Sequence, residues 1–248
     1  MNDVCEGIVI RSIDYKDADA ILQVLSKTYG KVSFHARGLR KIKSKNANAC
    51  HLFGKSKFYF NYREQREMQS LKTAENIYTY RHIRENLLKQ AIATTMVEMM
   101  EKQELDYLEE AYDVLDGCLH ILETTTNPMA LFGMFLANCL QLVGIMPNVE
   151  GCVDCGRQDN LISISLAKGG FVCRSCFNPH YEKQYDRSIL KFFRLFNTAK
   201  LTQFSLLEAI RPCGFEDVAL LLEFYLEYSG IKLQSLSFLK TVVELEKI

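Results

Sequence analysis

CEGIVIRSIDYKDADAILQVLSKTYGKVSFHARG, Cys5 to Gly38, decides the reading of the first third of this 248-residue chain. CEGIVIRSIDY is β-branched and partly alternating, the pattern of a half-buried strand. DAILQVLS and KVSFHARG flank Lys27-Thr28-Tyr29-Gly30, a hairpin turn with glycine at its end. Further on, SKFYFNY places Phe58 and Phe60 on one face and Tyr59 on the other, and EMQSLKTAEN follows a polar turn at Arg63–Gln65. Five short strands with basic loops predict a small barrel over residues 1–80. An OB-type barrel is the first candidate, and an SH3-like barrel shares the periodicity.

After Tyr80 the period changes to that of helices. Ile83, Leu87, Leu88, Ala91 and Ile92 mark one, and Tyr112, Leu115, Leu119 and Leu122 a second. Asn127 before Pro128 reads as the cap of a third, MALFGMFLANCLQLVG, apolar on most sides and stopped at Gly144. SILKFFRLFNTA and FEDVALLLEFYLEYSG supply closing helices. The fold class is therefore α+β and multi-domain: an N-terminal OB-type barrel, then a mainly α-helical domain over 81–248 with an insertion at 149–180.

That insertion holds Cys152, Cys155, Cys173 and Cys176, a Cys-x2-Cys-x17-Cys-x2-Cys spacing that predicts a four-thiolate zinc finger. Four sulfurs leave no open position for water, so Zn2+ here is structural and braces a segment with little apolar surface. His180 reads as a surface residue. The other five of the nine cysteines stand singly, which suits a reducing compartment and a cytoplasmic location. No basic-then-apolar leader opens the chain and no long apolar run predicts a membrane span.

The net charge is zero, but its distribution is uneven. Residues 1–80 carry 14 Lys+Arg against 8 Asp+Glu, and residues 81–150 carry 4 against 11. No acidic residue occurs between Asp19 and Glu64, a window holding ten cations. Lys31, Arg37, Arg40, Lys41, Lys43 and Lys45 concentrate around Gly38, where they suit a phosphate backbone. Phe58 and Phe60 read as barrel core, which leaves Tyr59 and Tyr62 as candidate base-stacking platforms, Tyr59 the stronger. The acidic run Glu98–Asp116 reads as a solvated helix face. No phosphate-cradling loop, dinucleotide fingerprint, His-Glu-x-x-His or nucleophile elbow is present, so the chain reads as a non-enzyme.

Taken in order, these pieces resemble a known family. Gly7–Arg11, Asp14–Asp19, Tyr29-Gly30-Lys31, Ala36-Arg37-Gly38, Ala74-Glu75, LVGIMP, the CVDCG…GGFVCRSC segment and IKLQSLSFLK are similar to the bacterial recombination and repair mediator RecO. The resemblance spans essentially the whole chain. It implies binding of single- and double-stranded DNA, annealing of complementary strands, a nucleoid-associated cytoplasmic setting, and recombinase loading with RecR, and often RecF, on DNA coated by single-strand-binding protein. It puts Arg37, Arg40, Lys41 and Lys43 in the DNA-binding loop and Cys152, Cys155, Cys173 and Cys176 on the zinc positions. The competing reading is a zinc-ribbon adaptor for RNA or a transcription complex; a metal-dependent nuclease built on the acidic run is the third.

Overall fold

β1 (Asp3–Tyr15), β2 (Asp19–Ser26), β3 (Gly30–Ala36), β4 (Lys55–Phe60) and β5 (Met68–Tyr78) close into a barrel in the order β1-β2-β3-β5-β4. All neighbours are antiparallel except β3 and β5. This is a five-stranded, OB-like closed barrel. The computed structural model describes residues 3–104 and 106–246.

The long first strand closes the barrel because it serves two partners. Asp3–Ile8 pair with β4 and Gly7–Tyr15 with β2, and the β2 pairing carries an irregularity between Val9 and Arg11. Gly7 lies where both pairings meet, opposite Ser26 and Ser56. A Cβ there would stand 2.3 Å from Val24 Cγ1 and 2.8 Å from the Leu25 carbonyl, so only glycine lets the strands approach. β3 alternates buried and half-buried residues along its whole length, as period-2 patterning requires. The core gathers Val9, Leu22, Val24, Phe34, Phe58 and Phe60. Phe34 stacks on Phe58 at 5.6 Å and meets Phe60 edge-on at 5.0 Å. Cys5 and Cys50 belong to the same core, and burial pushes their thiols up to about 11 and about 12.

The remaining chain forms α1 (Arg81–Glu85), α2 (Leu87–Lys102), α3 (Leu108–Thr124), α4 (Pro128–Leu142), β6 (Leu161–Ser165), β7 (Gly170–Cys173), α5 (Arg187–Thr198), α6 (Phe204–Glu208), α7 (Phe215–Ser229) and α8 (Ser235–Glu246). The first apolar series is two helices, not one. Asn86 is extended, and its side-chain oxygen accepts from the Lys89 amide to start α2, which leaves Leu87 exposed. Asn127 precedes α4 but does not cap it with its side chain. Its amide instead donates to the Arg211 carbonyl and accepts from the Cys213 amide. α4 is buried nearly all round, as its composition requires, and packs on α5, α6 and α7.

Compactness divides the chain into residues 1–124 with 233–247, and residues 125–232. The sequence boundary at Tyr80 marks the end of the barrel strands, but α1–α3 and α8 group with the barrel. The acidic run is solvated in part, with Glu104, Asp106 and Glu110 exposed, but other members reach the barrel and α8. Glu101 pairs with Arg11 at 2.6 Å, and Glu109 and Asp113 pair with Lys27 at 3.1 and 3.0 Å. Asp116 pairs with Lys55 at 2.9 Å. Glu98 accepts from the amides of Gln234 and Ser235 at the start of α8. Among the described residues no helix is long and apolar enough to cross a membrane.

Candidate nucleic-acid interface and four-cysteine centre

The basic loop leaves β3 at Ala36 and is fixed at both ends. Asp19, at the start of β2, accepts a hydrogen bond from the Gly38 amide at 2.8 Å and lies 2.7 Å from His35 Nε2. These two partners, the amide first, hold the Asp19 carboxyl below its ordinary range. Gly38 has φ +63, which lets the chain turn directly over this carboxylate. The Arg40 amide donates to the Ala18 carbonyl, and Leu39 is buried in the barrel core. At the far end, Asn46 accepts from the Ala74 amide on β5. An acidic residue at the edge of the acid-free window thus shapes the loop that carries the cations.

The predicted cations do not share one fate. Arg37, Lys41, Lys43 and Lys45 are exposed, with no side-chain partner among the described residues. Arg40 is exposed as well and pairs with Asp14 at 3.0 Å. Lys31 stands apart from the loop cations. Its ammonium donates to the carbonyls of Glu101 and Gln103 at the end of α2, and burial lowers its pKa. It satisfies carbonyls at a helix terminus. Tyr59 is half-buried, with its hydroxyl donating to Glu75 at 2.9 Å. That bond raises its pKa and pins the ring along the β4–β5 surface.

Two further groups carry no clear signal in the sequence pattern. The β4–β5 loop exposes Arg63 and Arg66 beside Tyr62, and buried Gln69 orders it by bonding to the Arg63 amide and to the carbonyls of Arg63 and Arg66. At the β1–β2 turn, Lys16 lies 5.2 Å from the centre of the Tyr15 ring, which meets His35 edge-on at 5.5 Å. In OB barrels the β2–β3 face and these two loops contact oligonucleotides, so loop position is the signal that would find them.

The four cysteines converge. Cys152, Cys155, Cys173 and Cys176 bring their sulfurs within 4.8 Å of one another, and Cys155 and Cys173 approach to 3.6 Å. Tetrahedral metal–sulfur bonds of about 2.3 Å put neighbouring sulfurs about 3.8 Å apart, so this cluster is the right size to hold a metal ion. Each pair turns tightly, with Gly156 donating to the Cys152 carbonyl and Cys176 to the Cys173 carbonyl. Burial opposes charge at Cys152, but N–H groups of Cys173, Cys155 and Asp154 overcome it and bring the thiol down to about 6. Sulfur neighbours Cys155 and Cys173 push Cys176 up to about 12. One thiolate suppresses the next, and a bound cation would remove that opposition. The local apolar cluster is small: Cys152, Val172 and Cys173, edged by Val153, Leu161, Cys176 and Phe177. His180 is exposed and outside the cluster.

Two family models cover most of the chain. The recombination protein O N-terminal model matches residues 1–80, and the C-terminal model matches residues 84–237. Curated relatives carry the name DNA repair protein RecO. One from Listeria monocytogenes is 27% identical over 98% of this chain and 96% of its own length. Others from Bacillus pumilus and Halalkalibacterium halodurans are 28% and 27% identical, covering 98% and 94% of this chain and 95% and 92% of theirs.

Proposed function

Since the chain belongs to the recombination protein O family, we propose that it is a non-enzymatic DNA-binding mediator of recombinational repair, binding single- and double-stranded DNA and annealing complementary strands. The observation that carries this reading is the basic loop: Arg37, Lys41, Lys43 and Lys45 stand free in solvent on a support anchored by Asp19, Leu39 and Asn46. Each phosphate neutralised on a single strand releases about 0.7 of a counterion, so the loop supplies salt-sensitive affinity without base specificity. Cations between two phosphate backbones screen their repulsion and let complementary strands meet. Tyr59 and Tyr62 offer ring faces for bases.

The metal in the four-cysteine centre is proposed to be Zn2+, held by Cys152, Cys155, Cys173 and Cys176. Bound there, it supplies folding free energy and no reaction chemistry, because all four positions are thiolates. The partners proposed on family grounds are RecR, RecF and single-strand-binding protein, with recombinase loading as the outcome.

The test is annealing of two labelled complementary oligonucleotides, with the wild type and an Arg37/Arg40/Lys41/Lys43→Ala variant. The expected result is acceleration by the wild type that the folded variant loses. Binding without acceleration would remove strand annealing from the function. Neither binding nor acceleration would favour a zinc-ribbon adaptor.

A further inference from the structure

Ile42 sits at the tip of the basic loop with a relative exposure of 105%. Among the large apolar side chains of the described residues, the next most exposed is Tyr181, at 87%. The loop is able to bury an apolar side chain, since Leu39, three positions earlier, lies in the barrel core. Ile42 is kept outside by the backbone: the Lys41 amide donates to the Gly38 carbonyl, and the Ser44 amide to the Lys41 carbonyl. These two bonds set Ile42 on an outward turn between Lys41 and Lys43, both exposed. A β-branched side chain is stiff about χ1, so the tip is a firm apolar point. Cations on either side would hold a phosphate chain against it.

We propose that Ile42 is a wedge that inserts between neighbouring bases of the DNA strand whose phosphates Lys41 and Lys43 hold. The inference rests on the DNA-binding reading and adds to it a contact with base faces. Aliphatic side chains in this role part a base step and leave the bases unstacked. Unstacked bases on a neutralised backbone are what a complementary strand can pair with, so the wedge would couple binding to annealing. An anionic lipid surface would also suit a cation-flanked apolar tip, but one isoleucine buries too little surface to anchor a protein there.

The test uses the full chain with oligonucleotides carrying 2-aminopurine between adenines, as a single strand and within a duplex, since unstacking brightens this base. The wild type is expected to raise the fluorescence in at least one of these arms. Ile42→Ser should abolish the rise and weaken binding roughly five- to tenfold, while the dependence of affinity on salt keeps its slope. Ile42→Leu should restore the rise. Lys41→Ala with Lys43→Ala should flatten the slope by roughly 1.4, two phosphates at about 0.7 each. Ile42 has no packing to lose, so an unchanged melting curve is expected. Wild-type binding without brightening, or brightening that survives Ile42→Ser, would overturn the wedge and leave the DNA-binding reading standing. Vesicles of phosphatidylserine and phosphatidylcholine that capture the wild type but not Ile42→Ser, with DNA behaviour unchanged, would also overturn it. Absence of salt-dependent DNA binding would overturn both readings.

Discussion

Two groups of cations stand on the same barrel, and their fates differ. Arg11, Lys27, Lys31 and Lys55 meet carboxylates or carbonyls of α2 and α3. Arg37, Lys41, Lys43 and Lys45 are exposed, with no side-chain partner among the described residues. Lys55 is well enclosed, its side chain 15% exposed beside Asp116. Burial works against its charge, but Asp116 and Glu6 outweigh that and raise its pKa. The first group fastens helices to the barrel, and the second stays exposed on its loop. The difference teaches that the sign of a charge run does not say what it serves. Where the opposite charges lie in space does.

The four-cysteine segment offers a partial control: two of its cations are also engaged, while Arg174 is exposed with no side-chain partner among the described residues. Lys168 pairs with Asp154 and Glu182, and Arg157 with Asp159. Replacing Cys173 with serine, or stripping the metal with a chelator, should unfold this segment, since its apolar cluster is too small to replace metal binding worth roughly 10–16 kcal/mol in small zinc peptides. Metal content and hydrogen exchange of residues 151–185 would report the loss. Oligonucleotide affinity should hold within about twofold, as expected if the loop cations carry the binding and Arg174 adds little to it. A large fall in affinity would break the contrast by bringing the segment into the interface.

A smaller effect is expected at the helix-facing end of the barrel. Lys55→Met should cost about 2 kcal/mol in denaturant unfolding, because it leaves Asp116 and Glu6 without their cation. Its DNA affinity should not change. A stable Lys55→Met protein with weakened DNA binding would reverse the roles assigned to the two groups.

Glu98 extends the same logic to pH. Burial raises its pKa, but the Lys102 ammonium, the Ser235 hydroxyl and the amides of Gln234 and Ser235 prevail and bring it down to about 2. A depressed carboxylate stabilises the fold above its unfolded pKa, about 4.3. That contribution should fade as pH falls from about 4.3 toward 2, and Glu98→Gln should flatten this limb of the stability curve. An unchanged limb would mean that the start of α8 does not depend on this charge. The smallest effect is expected from Lys27→Ala, because this pair is exposed on both sides. Its thermal unfolding curve should overlay that of the wild type.

The β-barrel was legible because its signals are local. Alternation in KVSFHA, the Tyr29-Gly30 turn and the paired aromatics Phe58 and Phe60 each lie within a few residues. The four cysteines were legible for a similar reason: two short pairs, with only the gap between them long. The fate of the cations was not legible. Lys27 and Asp113 are 86 positions apart, Lys31 and Gln103 are 72, and Lys55 and Asp116 are 61. No periodicity encodes such pairings. Asn127 misled for another reason, since its neighbours look like a helix start while its side chain bonds to a loop more than eighty positions on. Ile42 lay in plain view within a basic run, but its exposure depends on turns that only the folded loop reveals.

The most direct test of the separation is the salt dependence of single-stranded oligonucleotide binding by three proteins: wild type, an Arg37/Arg40/Lys41/Lys43→Ala variant, and an Arg11/Lys27→Ala variant. The account predicts that the loop variant flattens the slope of log affinity against log salt by roughly 2 to 3, at about 0.7 for each phosphate it no longer neutralises. It predicts that the helix-facing variant keeps the wild-type slope. Equal flattening in both variants, or flattening in the helix-facing variant alone, would contradict it.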